Sequence, residues 1–437
     1  MSNQPRSHTA RAAAAAFLGS PRFVAALCTT AVGTAAAAFA LRQTIGWPGL
    51  LGILGGLAVF AVLALLVKRR EIEWYGLLPL SLLVFVGWAG LSVIWSEYQW
   101  ASLGSLAYLV GFTLLGLTVG LLRDTIQIVR IFGDVLRVVL TASLVVEVIS
   151  GLLLDTPVRF LGVAGNLDVL GPIQGLLGTR NQLGVTALVA LITFATELRT
   201  KSVTRGVGIG SIVVAGLCLA LSRSPVSGGA LVLVCLAALA LYWLRRLKPH
   251  QRRGWQFALL ATTIVVAVSA WLFRGTIIAM LAATGEVTYR IRLWQAIWQL
   301  VPFHELQGWG WIGHWRPELL PFAAFDVEAA RPSTSALNAF LDVWFQLGLV
   351  GLFAFLVLIA LALVRSWLLG SHQRSTVFTW PALVLVALVA CSFAESSILI
   401  EFGWLTLVVC TVKASRELSW RKAFAAIPHP DATRPPR

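Results

Sequence analysis

Arginines set in short polar turns between apolar runs are the residues of this chain best suited to chemistry. Arg180 stands in Gly178-Thr179-Arg180-Asn181-Gln182, Arg223 in Leu221-Ser222-Arg223-Ser224-Pro225, and Arg290 and Arg292 in Thr288-Tyr289-Arg290-Ile291-Arg292-Leu293-Trp294. A guanidinium held at a membrane boundary is costly unless it meets an anion or an acceptor. Its planar fork also suits two-pronged contact with phosphate. These positions point to a pocket for a lipid-linked phosphate or diphosphate. Arg42, Arg159 and Arg274 read instead as interfacial anchors whose stems lie along apolar surface.

Arg290 and Arg292 lie in one polar island, Arg274 to Asn338, which interrupts an otherwise apolar chain. Within it Ile291, Trp294, Ile297, Trp298 and Val301 recur at helical spacing and predict an amphipathic helix over Tyr289 to Val301. Trp309, Trp311 and Trp315 are either an interfacial aromatic belt or a platform on which sugar C–H faces stack. Glu395 lies between two apolar runs, where an acidic group must face protein or water; it either pairs with an outward arginine or helps to bind an acceptor. Arg137 and Glu147 are about three helical turns apart, so each needs another partner.

The composition says what must position them. Of 437 residues 58% are hydrophobic and 12% charged, and the mean hydropathy is +0.83. Runs of roughly 17–25 apolar residues without two-residue alternation are membrane helices. Twelve such runs are expected, near 23–41, 49–67, 77–95, 101–122, 131–153, 181–197, 206–221, 226–243, 255–273, 340–364, 379–395 and 397–412. The run after Arg22 reads as the first of them rather than as a cleaved signal. With both termini cytoplasmic, 24 Lys and Arg fall inside and nine outside, including all five lysines inside, as the positive-inside rule requires. The island is then extracytoplasmic. The net charge of +15 follows from this topology and does not call for nucleic acid. The five cysteines show neither disulfide nor metal spacing, and no cofactor is indicated.

The expected organisation is therefore all-α: a polytopic membrane bundle of about twelve helices with one large extracytoplasmic loop containing short helices. Its parts are an N-terminal segment 1–22, helices within 23–273, the loop 274–339, helices within 340–412, and a tail 413–437 whose end is too polar to pack.

The ordered set Gly178-Thr179-Arg180-Asn181-Gln182-Leu183-Gly184, Ser222-Arg223-Ser224, Arg290-x-x-Leu293-Trp294, Gly308-Trp309-Gly310, Asn338-x-x-Leu341 and Leu347-Gly348-Leu349-Val350-Gly351-Leu352, preceded by Ser92-x-x-Trp95-Ser96, resembles the O-antigen ligase and polymerase family. The likeness covers about 90 to 405. It implies an inverting, metal-independent glycosyltransferase of the bacterial cytoplasmic (inner) membrane. The donor would be an undecaprenyl-diphosphate-linked glycan, and the acceptor an extracytoplasmic glycan or lipid. By motif position it places Arg223 and Arg290 on the donor diphosphate, with Arg180, Arg292 and Asn338 as further substrate contacts. The chain departs from the family at Leu337, where ligases carry a His that could take up a proton. Candidates to replace it are His304, His314, Glu318, Asp326 and Glu328, with His314 and Asp326 first. Competing readings are a transporter or flippase of an anionic, polyprenyl-linked substrate, and a noncatalytic member of the family.

Overall fold

The computed structural model describes residues 5–71, 80–168, 171–273, 285–325 and 333–417. Arg274, Asp326, Glu328, Arg331 and the tail from 418 lie outside the described residues. The regular structure of the described residues is helical: α1 (Pro5–Leu18), α2 (Pro21–Ala36), α3 (Ala38–Val67), α4 (Leu80–Leu91), α5 (Gln99–Leu122), α6 (Thr125–Val148), α7 (Arg180–Thr200), α8 (Arg205–Leu221), α9 (Pro225–Arg246), α10 (Pro249–Leu272), α11 (Gly285–Leu300), α12 (Ala339–His372), α13 (Trp380–Ser392) and α14 (Glu401–Glu417). The extended pairing among the described residues is a single bridge, Val158 to Val163.

Each of the twelve apolar runs overlaps a helix among the described residues. By length and apolarity, however, six helices qualify as membrane-crossing: Ala38–Val67, Gln99–Leu122, Thr125–Leu153, Arg180–Thr200, Pro225–Arg246 and Ala339–His372, or seven if the bent pair Ala12–Leu18 and Pro21–Ala36 is one crossing. Breaks in the helices account for part of the difference. In α3, Gly46 has φ 72° two residues before Pro48, and Val67 returns to within 3.2 Å of the Cβ position of Gly19. The chain therefore runs out from Gly19 and back to Val67, and α3 holds parts of two legs. The chain is a multi-pass membrane protein.

Two helices form the centre. In α14 every side chain from Phe402 to Ser415 is buried, and α7 is buried along most of its length. Lipid supplies no hydrophobic force between helices, so close backbone approach matters. Gly116 and Gly120 of α5 give it here: a Cβ on either would come within 2.9 Å of Val408 or Val412 of α14. Several polar groups inside are matched, as an apolar medium favours. Trp404 Nε1 donates to Thr113 Oγ1 at 2.8 Å and Trp380 Nε1 to Thr193 Oγ1 at 3.0 Å. Arg137 pairs with Glu197 and Asp134 and donates to Ser211. Glu147 accepts the backbone N–H groups of Gln174 and Gly175, both at 2.8 Å.

Contacts between the helix ends sort into two sets. At one end Arg123 reaches Pro21, Arg130 reaches Ser202, Arg245 reaches Arg374 and Arg416 reaches Leu121. At the other end Arg42 meets Glu401, Asn181 meets Glu395 and Trp88 meets Leu347.

The region 285–345 packs as a small core on this second end. The helix predicted over Tyr289 to Val301 is α11, but its buried stripe is Tyr289, Leu293, Ile297 and Val301. Of the expected stripe, Ile297 and Val301 are buried in this core and Trp294 packs partly against it, whereas Trp298 is 51% exposed. The four-residue spacing turns this stripe onto Phe345 and Leu341 of α12 and onto Trp315, Phe322 and Phe325.

What fixes this core to the bundle is a break in α12. Gly348 has φ 66°, which frees carbonyls that membrane depth cannot leave bare. Each finds a donor. Phe345 O accepts Trp309 N–H at 3.1 Å, Gln346 O accepts Gly310 N–H at 2.8 Å, and Leu347 O accepts Trp88 Nε1 at 2.9 Å. Across the break, Leu349 N–H donates to Glu305 O at 2.8 Å. The Ser92-x-x-Trp95-Ser96 stretch closes the other side: Ser92 Oγ accepts Trp311 N–H at 2.9 Å and Trp95 Nε1 donates to Gln307 O at 3.1 Å. The glycine motifs are the points where two backbones touch. A Cβ on Gly348 would lie 2.1 Å from Leu306 O and one on Gly308 2.4 Å from Gln346 O.

Gly348→Ala should therefore cost about 3 kcal/mol or more, as a strained φ and a clash against backbone together. Gly87→Ala, in open space, should be neutral. The fraction remaining monodisperse in detergent after a temperature ramp measures both; equal midpoints would show that the break does not depend on glycine.

Candidate functional site

The centre of the second end is the carboxylate of Glu395, in the turn between α13 and α14. Its Oε1 accepts Asn181 Nδ2 at 2.6 Å and Arg290 Nη2 at 2.9 Å. Arg290 also donates to Ala394 O. The pair is well covered, with side chains 10% and 13% exposed. Asn181 extends the chain of bonds: its Oδ1 accepts Ser224 Oγ at 2.7 Å, and Ser224 Oγ in turn caps α9 by accepting Ser227 N–H. Three sequence segments far apart, 179–184, 222–227 and 288–294, are joined here through one acid.

Local structure explains why each segment can reach. Gly178 takes φ 80° where a Cβ would strike Phe39, and Thr179 caps α7 by accepting Gln182 N–H at 3.1 Å. Gly184 leaves room for Ser227, whose Oγ would lie 2.2 Å from a Cβ. Between α8 and α9 the turn is only three residues long. Ser222 and Ser224 are buried in it, and Arg223 between them is exposed with φ 46°, a left-handed conformation that L residues adopt at a cost of roughly 1–2 kcal/mol. Arg223 makes no ion pair with a described residue. Arg180, next to Asn181, is half-buried and contacted within the protein. Arg292 is exposed on α11. Arg180, Arg223 and Arg290 thus each stand at or beside a member of one hydrogen-bonded chain. Together with Glu395 they carry a net charge of +2, suited to a diphosphate.

Asn338 adjoins the same turn. Its Oδ1 caps α12 by accepting Phe340 and Leu341 N–H at 3.0 and 3.1 Å, while Nδ2 donates to Phe393 O at 3.2 Å. Leu337, where the family carries His, has φ 49° and packs against the loop core. Nearby Asp342 is fully buried and accepts Trp315 Nε1, Gln346 Nε2 and Ala336 N–H; so surrounded by donors, it serves the loop rather than a substrate.

The tryptophans are mostly walls. Trp311 is 1% exposed and meets Phe85 edge-on; Trp315 is 1% exposed inside the loop core. Trp309 is half-buried between His304 and Phe345.

His314 is not at the Glu395 cluster. It lines a separate cavity of about 580 Å³, together with Trp47, Tyr108, Trp311, Glu318 and the pair Arg42–Glu401. Arg42 Nη1 and Tyr108 Oη both donate to Glu401 Oε1 at 2.8 Å, and Arg42 stacks over Trp47 at 4.9 Å. Burial lowers the His314 pKa, and Arg42 lowers it further against the opposing pull of Glu401; the ring is neutral near pH 7. The sequence reading missed this cavity. It took Arg42 for a lipid anchor and had no signal for Glu401, whose partner lies 359 residues away. Asp326 lies outside the described residues.

Two outcomes are expected. Glu395→Gln leaves Arg290 buried beside a neutral amide and should lower stability by about 3 kcal/mol; the double variant with Arg290→Gln should recover part of that loss, and purely additive effects on the thermal midpoint would show the pair to be uncoupled. For His314, the folded state holds the pKa below its ordinary 6.5, so the unfolded chain takes up the proton first as pH falls. Stability should drop between pH 7 and 5, and His314→Asn should flatten that slope. An unchanged slope removes His314 as its source.

Residues 209–356, about a third of the chain, match the family model described as O-Antigen ligase. The comparison with curated proteins gives no match. The matched segment contains the Ser222–Ser224 turn, α11, Gly308 and Gly310, and the first half of α12 with its break at Gly348. Over that segment the chain is similar to the O-antigen ligase family.

Proposed function

We propose that this protein transfers a glycan from an undecaprenyl-diphosphate donor to an acceptor outside the cytoplasmic membrane, in ligation or polymerisation of a surface polysaccharide. The observation that carries this reading is the bond chain Arg290–Glu395–Asn181–Ser224, which gathers the arginine-bearing turns at one end of the bundle. The partition of end contacts supports twelve passes with both termini cytoplasmic. The lysine-bearing connections 68–71 and 199–205 share the end of Pro21 and Leu121, and the Glu395 end is opposite.

In the proposed step an acceptor hydroxyl attacks the anomeric carbon from the face opposite the diphosphate. The C–O bond to the diphosphate breaks, its electron pair leaves on the phosphate oxygen, and the configuration inverts. Negative charge grows on that oxygen, and guanidiniums already fixed by the protein stabilise it without reorganising. Arg290 is fixed by Glu395 and Ala394 O, while at Arg223 the buried serines on either side fix the backbone turn that carries the guanidinium. Arg180, Arg292 and Asn338 flank the donor. The hydroxyl proton needs a base that is unprotonated at working pH, and His314, whose pKa is lowered by burial, meets that condition. The cavity it lines, with Tyr108, Trp47 and Glu401, is the proposed acceptor side, across the 394–401 turn from the donor; Asp326 is the second candidate base.

Arg223→Ala and Arg290→Ala should each abolish transfer from a purified lipid-diphosphate glycan while the protein still inserts. Each should also weaken donor binding by about 1.5–3 kcal/mol, the worth of a charge-assisted contact. Arg290→Lys, a point charge without the fork, should recover only part of the rate. Wild-type turnover by both alanine variants in a product assay would end the donor assignment.

A further inference from the structure

At the end of the bundle opposite the Glu395 cluster a second cavity, of about 610 Å³, opens between α7, α9 and α13. Its walls are apolar: Leu188, Ile192, Leu231, Val234 and Leu383 run along its depth. Arg199, Tyr242 and Arg245 also line it, and no acidic residue does. The cations are concentrated there. Arg199 lies 5.8 Å and Arg246 4.3 Å from the Tyr242 ring centroid. Arg199 and Arg252 stand close enough to Arg245 to repel it. Arg245 donates to the backbone oxygen of Arg374 and Arg252 to those of Leu244 and Leu247. No carboxylate among the described residues forms a salt bridge with Arg199, Arg245, Arg246 or Arg252.

Clustered guanidiniums without a counter-ion repel one another, and a slot between spanning helices lined with leucine and valine has no use for water. We propose that the cavity holds one anionic phospholipid, an acyl chain along Leu188, Leu231 and Leu383 and the phosphate between Arg199 and Arg245. The chemistry is that of basic pockets between helices that take lipid head groups, and guanidinium suits a phosphodiester. The site is independent of the donor reading, because it uses none of its residues.

The test is native mass spectrometry of the full chain released from nanodiscs of dioleoylphosphatidylglycerol, dioleoylphosphatidylcholine or their equal mixture. The wild-type protein should retain one phosphatidylglycerol at least tenfold over phosphatidylcholine. Arg199→Gln combined with Arg245→Gln should erase that preference while retaining monodisperse, folded protein. Cys235→Trp, which fills the slot, should reduce retention of either lipid. Arg69→Gln, a basic residue remote from the cavity, should retain wild-type preference. Equal retention of the two lipids by the wild-type chain would overturn the proposal, as would a preference that survives the double arginine variant or displacement by polyprenyl phosphate but not by phosphatidylglycerol.

Discussion

A single carboxylate organises the proposed donor end of this protein. Glu395 stands in a turn where lipid would make a lone acid prohibitive, and it is stable there because Arg290 and Asn181 both bring donors to the same oxygen. The dependence is mutual. Without Glu395, Arg290 would be a buried cation beside a backbone carbonyl, and the α11 segment would lose its polar tie to the bundle. Charge pairs of this kind add little net stability when compared with a well-packed apolar substitute. What they supply is a unique arrangement. Here that arrangement fixes which turns face one another.

The second constraint is the break at Gly348. A continuous helix needs no outside donors, but a broken one must have each freed carbonyl satisfied. The loop provides two of those donors from Trp309 and Gly310, and α4 provides the third from Trp88. The loop is therefore joined to the bundle by backbone bonds, at positions where side chains would intrude. Its apolar core, from Tyr289 to Phe345, then holds α11 and with it Arg290. Loop, latch and ion pair form one mechanical unit.

Much of this was legible in the sequence for a simple reason: apolar runs of membrane length can fold only as helix or closed barrel. The arginines at turns and the glycine pairs were visible as types out of place. The partners were not. Glu395 could be assigned to some outward arginine, but choosing Arg290 requires knowing which turns meet, and the segments lie 105 residues apart. Arg42 is the sharper case. On sequence it is one cation at the end of an apolar run, the usual form of a lipid anchor, and nothing near it announces Glu401 or Tyr108. The buried face of α11 was legible only in part: Ile297 belongs to it as expected, whereas Tyr289 and Leu293 stand in it where the equally apolar Ile291 and Trp298 were expected. Periodicity finds an apolar stripe; it cannot say which of two adjoining stripes meets protein and which meets the headgroup layer.

Backbone strain follows the same map. Among the described residues outside glycine, positive φ occurs at Asp155, Lys201, Arg223, Leu337 and Glu401. Lys201 ends a helix, where a left-handed residue is ordinary. Three of the others, Arg223, Leu337 and Glu401, each sit immediately beside a buried cap, a helix start or the cavity lined by His314. None is a residue type that favours this conformation, so neighbouring contacts must impose it. At Arg223 the imposing contacts are Ser222 and Ser224, buried on either side. The consequence is directional: two serines turned inward leave the guanidinium between them outside, beside the Glu395 chain. At Leu337 the same backbone geometry persists although the side chain has no polar function. A left-handed leucine gains nothing locally, so the conformation belongs to the Asn338 cap and the loop core around it.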